Sequence, residues 1–174
     1  IVCANDDTRS GDQPKGKQCP DLFSRGCHYT RTTGIWQTVW LEAVPESRID
    51  SVRVVPDLDS SRFVLTPAFK NAHRNHTFRA VLSNGQEEVA VSTMPATNGA
   101  SMSLRIKDPQ PWCPSDPHLY DLRLELCDGD TVIDTVNSYA GLRKFHIEGH
   151  KFYLNNKPIF LRFVLDQGFY PDGI

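Results

Sequence analysis

Leu119-Tyr120-Asp121-Leu122-Arg123-Leu124-Glu125-Leu126-Cys127-Asp128-Gly129 is the stretch that decides the class of fold. Leu122, Leu124 and Leu126 alternate with Arg123, Glu125 and Cys127, so an extended chain presents an apolar face to a core and a second face mostly to water. Asp128-Gly129 then supplies a turn, and Thr131 to Tyr139 offers a returning strand. The same grammar repeats upstream. Between Glu46 and Leu142 the candidate strands are Ile49 to Pro56, Arg62 to Phe69, Thr77 to Ser83, Glu87 to Thr93, Ser101 to Lys107, Leu119 to Cys127 and Thr131 to Tyr139. Asn84-Gly85 and Asp128-Gly129 are read as type I′ hairpin turns. Almost no stretch carries the 3.6-residue apolar period of a helix. The class is therefore all-β, and strands so spaced close a core as two packed sheets, in the manner of an immunoglobulin-like sandwich.

The segments flanking this unit are not self-sufficient. Residues 1–45 offer one strand at Ile1 to Ala4, a polar loop, and a second strand from Gly34 to Val44 with large apolar groups on both faces: Ile35, Val39 and Leu41 on one, Trp36 and Trp40 on the other. Two strands do not make a stable domain. Residues 143–174 offer a hairpin about Asn155-Asn156. The run Pro158 to Leu165 follows, suited to a strand buried on both faces. The chain opens without Met on an apolar alternation, and is expected to be a piece of something longer.

Composition narrows the function. Hydrophobic residues at 39% and charged residues at 23% suffice for a packed core and argue against disorder. A net charge of −2 leaves no basic field, so neither nucleic acid nor an anionic membrane surface is an expected partner. No apolar run approaches the ~20 residues of a spanning helix. Cys3, Cys19, Cys27, Cys113 and Cys127 are odd in number and form no C-x-x-C pair, so they read as free thiols of a reducing compartment. No metal or cofactor is expected; a cytoplasmic location is, with a periplasmic or secreted one as the alternative.

Three passages resemble one family. Gly34-Ile35-Trp36-Gln37-Thr38-Val39-Trp40-Leu41 is similar to the GIW-x-x-V-x-L signature that closes the sugar-binding jelly roll of family 2 glycoside hydrolases, the group of β-galactosidases, β-glucuronidases and β-mannosidases. Pro111-Trp112-Cys113-Pro114 with Pro117, Leu119 and Tyr120 resembles that family's P-W-x-P-x-x-P-x-L-Y passage. Gly141-Leu142-Arg143 and Phe152 to Arg162 resemble the passage leading into its catalytic barrel. The resemblance implies three parts: residues 1–45 as the C-terminal part of a jelly roll, 46–142 as the sandwich, and 143–174 as a linker hairpin and the first strand of a truncated (β/α)₈ barrel. Asn156 stands where the family usually has Gly, a mild change because Asn also enters left-handed backbone geometry. Phe163 stands where Gly is usual, and its ring demands room near a barrel interior.

Retaining hydrolysis needs two carboxyl groups about 5–5.5 Å apart. The family's acid/base glutamate follows an Asn, and this sequence has no Asn-Glu dipeptide. Glu42, Glu46, Glu87, Glu88, Glu125 and Glu148 fall on sandwich strands or turns, where a carboxylate is ordinarily a solvated outer-face group. Asp6-Asp7 and the pair Asp57 and Asp59 lie in loop-like stretches where Asp serves turn geometry. No catalytic residue is expected, so the piece is read as non-catalytic scaffold of a retaining β-glycoside hydrolase, β-galactosidase-like. Its partner is the β-glycoside substrate of the full-length parent, and exposed apolar edges make self-association possible. The candidates for sugar contact are His28, Tyr29 and Arg31 before Gly34, and Asp166 and Gln167 after the barrel strand. Against each stands the plain alternative of an ordinary loop residue. Trp36, Trp40 and Trp112 are read as structural fillers rather than a stacking platform. The rival is a stand-alone carbohydrate-binding or adhesion sandwich, or a fibronectin-like spacer.

Overall fold

The computed structural model describes residues 16–30 and 37–165. They fall into two compact units, one of residues 43–161 and one of 16–30, 37–42 and 162–165. The expected strand at Ile1 to Ala4 lies outside the described residues, as do Trp36, Arg31, Asp166, Gln167 and Phe163's downstream neighbours from residue 166 onward.

The larger unit is all-β, and no helix occurs among the described residues. Its strands are β1 (Arg48–Asp57), β2 (Arg62–Lys70), β3 (His76–Asn84), β4 (Glu87–Pro95), β5 (Met102–Arg105), β6 (Tyr120–Asp128), β7 (Thr131–Ala140), β8 (Phe145–Glu148), β9 (Lys151–Leu154) and β10 (Lys157–Ile159). All seven strands read from the sequence are present, with ends shifted by a few residues. They form two antiparallel sheets, β1-β2-β5 and β4-β3-β6-β7, packed as a sandwich, and β10-β9-β8 forms a third small sheet. In an immunoglobulin constant-type domain the fourth strand joins the first sheet. Here β4 pairs with β3 instead.

Period-two burial builds the core. Phe63, Leu65, Pro67 and Phe69 alternate inward along β2, facing Phe78, Ala80 and Leu82 of β3 and Tyr120, Leu122, Leu124 and Leu126 of β6. The sheets interlock through two edge-to-face ring pairs, Phe63 with Tyr120 at 6.0 Å and Phe69 with Phe78 at 5.4 Å. Pro67 is tolerated because β5 pairs only as far as Leu65, so that end of β2 borders β1 alone. Beyond it, the Asn98 side chain does the work of a missing strand: its Oδ1 accepts the Phe69 N–H at 2.7 Å and its Nδ2 donates to the Phe69 carbonyl at 3.2 Å. Asp134 does likewise for β1, accepting the Ile49 N–H at 2.8 Å. Tyr120, at the start of β6, accepts the Gln110 N–H on its hydroxyl at 2.7 Å, the tyrosine corner of such sandwiches.

Several expectations are corrected. Asn84 and Asp128 are the last residues of their strands, pairing with Glu87 and Thr131, so the two-residue loops are Gly85-Gln86 and Gly129-Asp130. Each has φ near +60° at its glycine only, the pattern of a type II′ turn rather than I′. A bulge follows each turn and admits one extra residue on the returning strand, which lets a one-residue shift be absorbed. The outer face of β6 is less wet than its alternation implies: Glu125 and Cys127 are each 8% exposed. Glu125 is covered by two guanidinium groups, Arg79 at 2.7 Å and Arg123 at 3.1 Å. The strand expected from Gly34 to Val44 is not formed over the described residues 37–44, where Val39, Trp40 and Leu41 are exposed. The strand expected over Pro158 to Leu165 stops at Ile159, and Phe160, Phe163, Val164 and Leu165 are exposed. A strand whose backbone groups find no neighbour is not held extended, and no partner strand for either stretch exists among the described residues.

Candidate functional site

The passages whose spacing drew notice in the sequence meet at one end of the sandwich. β9 and β10 join through Asn155-Asn156, with φ of 52° and 63°, a true I′ turn. Positive φ suits Asn, and it turns the Asn155 amide back towards the sandwich. Asn155 Nδ2 donates to the Trp112 carbonyl at 2.9 Å, its Oδ1 accepts the Lys144 N–H at 3.1 Å, and its own N–H donates to the Lys144 carbonyl at 2.8 Å. Trp112 N–H in turn donates to the Leu142 carbonyl at 2.9 Å. One side chain thus ties three chain segments: the loop before β6, the linker after β7 and the β9-β10 turn.

Two further contacts close this clamp. The four-residue β1-β2 loop projects Asp59, whose Oδ2 accepts from Lys144 Nζ at 2.6 Å and whose Oδ1 accepts from Asn156 Nδ2 at 2.9 Å. Arg143 lays its guanidinium 4.8 Å over the Trp112 ring. Gly141 permits the close approach of this linker, since a Cβ there would stand 3.3 Å from Leu119 Cδ2 and 3.5 Å from Trp112 Cβ. Trp112 is half-buried in this joint.

Hydrogen bonds set the charge state of the carboxylates at this end. A hollow of about 490 Å³ beside the clamp holds both Asp57 and Asp59. The hydrogen bond from Arg62 holds Asp57 below the usual carboxylate range, and those from Lys144 and Asn156 do the same for Asp59. A retaining hydrolase needs one carboxyl of its pair raised so that it carries a proton. Both of these are pushed the other way, below the ordinary carboxylate value. A second hollow, of about 540 Å³, is lined by residues such as Leu58, Cys113, Ser115, Lys157 and Ile159 and has no carboxylate in its wall. The Ser115 hydroxyl, 3.3 Å from Cys113 Sγ, pulls that thiol below its ordinary value. Among the described residues no group of three His, Cys, Asp or Glu is placed to hold a metal.

The sugar-contact candidates are in the smaller unit where they are described at all. His28 and Tyr29 sit in a loop closed by backbone bonds from Cys19 N–H to the Tyr29 carbonyl (2.9 Å) and from Tyr29 N–H to the Lys17 carbonyl (2.8 Å), around the buried Cys19 thiol. His28 is exposed and Tyr29 half-buried. Arg31, Asp166 and Gln167 lie outside the described residues. Cys19, Cys27, Cys113 and Cys127 are free thiols. What the sequence did not reveal is the part played by Asp59, read there as a turn residue. Its partner Lys144 is 85 residues away, and no local pattern marks such a pair.

Comparison with known proteins agrees with this architecture. The profile of the glycosyl hydrolases family 2 matches residues 47–143, just over half of the chain. A Formosa agariphila protein assigned as a β-glucuronidase is 32% identical over 137 residues, 74% of this chain and 17% of that protein. A β-galactosidase of Streptococcus thermophilus is 28% identical over 143 residues, 78% of this chain and 14% of the relative. The β-glucuronidase of Ruminococcus gnavus, solved in complex with an N1-substituted uronic isofagomine, superposes with a TM-score of 0.59 at 22% identity over 69% of this chain and 20% of that one, a likeness of fold. The chain thus spans less than a fifth of the length of these two curated relatives. The match spans the sandwich together with its PW passage: the chain belongs to family 2 of the glycosyl hydrolases.

Proposed function

We propose that this chain is non-catalytic scaffold of a retaining β-glycoside hydrolase of the β-galactosidase or β-glucuronidase kind, and that its work is to hold two other domains at a fixed angle. In this proposal residues 1–45 complete a sugar-binding jelly roll, 46–142 are the rigid spacer, and 143–174 lead into a catalytic barrel. The observation that carries it is the Asn155 clamp, which locks the exit hairpin to the sandwich at both its backbone and its side chains. A rigid body with a rigidly held exit strand transmits orientation, which a free linker does not. The depressed Asp57 and Asp59 carboxyls support the non-catalytic part. Free thiols support a reducing, cytoplasmic setting for the parent.

The expected result with the 174-residue chain is hydrolysis of aryl β-galactosides and β-glucuronides at the buffer rate, and no heat of binding on titration with the same sugars. Turnover above buffer would overturn the scaffold assignment. Binding without turnover would favour a stand-alone carbohydrate-binding module. Sugar contact by His28, Tyr29, Arg31, Asp166 and Gln167 is assigned only within the full-length enzyme, where His28→Ala and Gln167→Ala are expected to raise KM; an unchanged KM in both rejects it.

We also infer that the isolated chain self-associates. One face of the small sheet carries Phe145, Ile147 and Phe152, with Phe145 stacked on Phe152 at 5.8 Å, and all three are exposed. Trp40 and Phe160 are exposed as well. Sedimentation velocity across a concentration series is expected to show a rising mean mass. A single monomer boundary at the highest concentration counts against it.

A further inference from the structure

The chain contains two Asn-Gly dipeptides, Asn84-Gly85 and Asn98-Gly99, and the fold treats them oppositely. We propose that Asn84 is a site of spontaneous deamidation and that Asn98, which is followed by the same glycine, is protected by its tertiary bonds. The reaction needs only water. The Gly85 backbone nitrogen attacks Asn84 Cγ, the N–Cγ bond forms as the Cγ–Nδ2 bond breaks, and the proton from the Gly85 amide leaves with the amine as ammonia. Water then opens the resulting succinimide at either carbonyl, giving aspartate or isoaspartate with no oxidant or reductant involved.

Three conditions favour this chemistry, and Asn84-Gly85 meets them. The attacking nitrogen must be unhindered: Gly85 is exposed at the first turn position, and nothing lies within 4 Å of where its Cβ would be. The backbone must be able to rotate: Asn84 is the last paired residue of β3 and Gly85 opens the two-residue loop, so the bond between them lies at the margin of the sheet, where hairpins fray first. The side-chain amide must be free to swing: Asn84 Nδ2 has only a long contact of 3.4 Å with Gln110 Oε1.

Asn98 fails the last condition. Both atoms of its amide are held by Phe69, Oδ1 by the N–H at 2.7 Å and Nδ2 by the carbonyl at 3.2 Å, so Cγ cannot turn towards the Gly99 nitrogen without opening both bonds. Gly99 itself is as open as Gly85, with nothing within 4 Å of its Cβ position. The two backbones are not alike, since Asn98-Gly99 lies inside a turn closed by the Ala100 N–H on the Thr97 carbonyl at 3.3 Å, but the restraint that acts on Cγ itself is the pair of Asn98 side-chain bonds. The product differs in consequence too. At position 84 isoaspartate adds a carbon to the backbone at the Asn84↔Glu87 pair and disturbs only the hairpin tip. At position 98 an aspartate carboxylate could still accept the Phe69 N–H, but it would have no donor for the Phe69 carbonyl and would set an anion against it.

The test holds the folded chain at mildly alkaline pH and follows both peptides by mass spectrometry, with isoaspartyl methyltransferase labelling to mark the isoaspartate. Conversion at position 84 is expected to outrun that at 98 by about tenfold or more, the factor set by opening the paired bonds of Asn98. In concentrated urea, where those bonds are gone, the two rates are expected to converge. Equal rates in the folded chain, or faster conversion at 98, overturn the proposal; so does a gap that persists unchanged in urea, because local sequence would then be its cause.

Discussion

Phe63→Ala is expected to lower the unfolding free energy of the sandwich by about 3–5 kcal/mol. Phe63 is 1% exposed and lies between the sheets, edge-on to Tyr120 at 6.0 Å and on a strand flanked by both β1 and β5. Removing the ring takes away its transfer free energy and leaves a void that two hydrogen-bonded sheets are poorly able to close. A domain has only about 5–15 kcal/mol to lose, so the variant should sit close to its folding threshold at ambient temperature. The check is a denaturant titration in which the midpoint falls while the slope is kept. Phe63→Leu, which keeps most of the volume, is expected to cost about 1–1.5 kcal/mol. A loss below about 1 kcal/mol for alanine would mean that this ring is not a keystone between the sheets.

The second large effect is local. Asn155→Ala removes two side-chain hydrogen bonds, of about 1 kcal/mol each, and puts a Cβ-bearing residue without a polar tip at φ 52°, worth about 1 kcal/mol more. About 3 kcal/mol is then lost from the docking of the small sheet, and little from the sandwich, whose core does not include Asn155. Amide exchange in β8, β9 and β10 is expected to accelerate by about a hundredfold, with β3 and β6 unaffected. Asn155→Gly, which relieves the backbone but not the bonds, should fall between the two. Unchanged protection in both variants would remove the clamp from the account of how this hairpin is held.

The sandwich was legible because its signals are local. Alternation in β2 and β6 and glycines at the turns act within a few residues, and they place seven strands. The turn type escaped because Asn84-Gly85 reads as I′ by composition, whereas the bulge that moves the turn by one residue depends on partner register. β8 escaped for a different reason. Phe145 to Glu148 is only four residues, and it is a strand because β9 pairs with it. The apolar runs about Trp40 and Phe163 misled in the opposite direction: they carry strand composition, yet among the described residues nothing pairs with them. At the clamp the sequence gives Trp112, Arg143, Asn155 and Asn156, but not their meeting, nor Lys144 and Asp59 as its further members. Glu125 was misread as solvated because its cover comes from Arg79, 46 residues earlier in the chain.

That last separation has a consequence for birth on the ribosome. β3 finds its second neighbour in β6 and β1 leans on Asp134, 85 residues later, so no early hairpin can seal the interior by itself. At roughly 5–20 residues per second, translation needs about 2–9 s to deliver Glu125 after Arg79. For that interval Phe63, Leu65 and Phe78 have emerged with one wall of their enclosure still unmade. Cotranslational chaperones that recognise short aliphatic and aromatic runs would meet this chain during those seconds, and the slow closure typical of sandwiches prolongs the encounter.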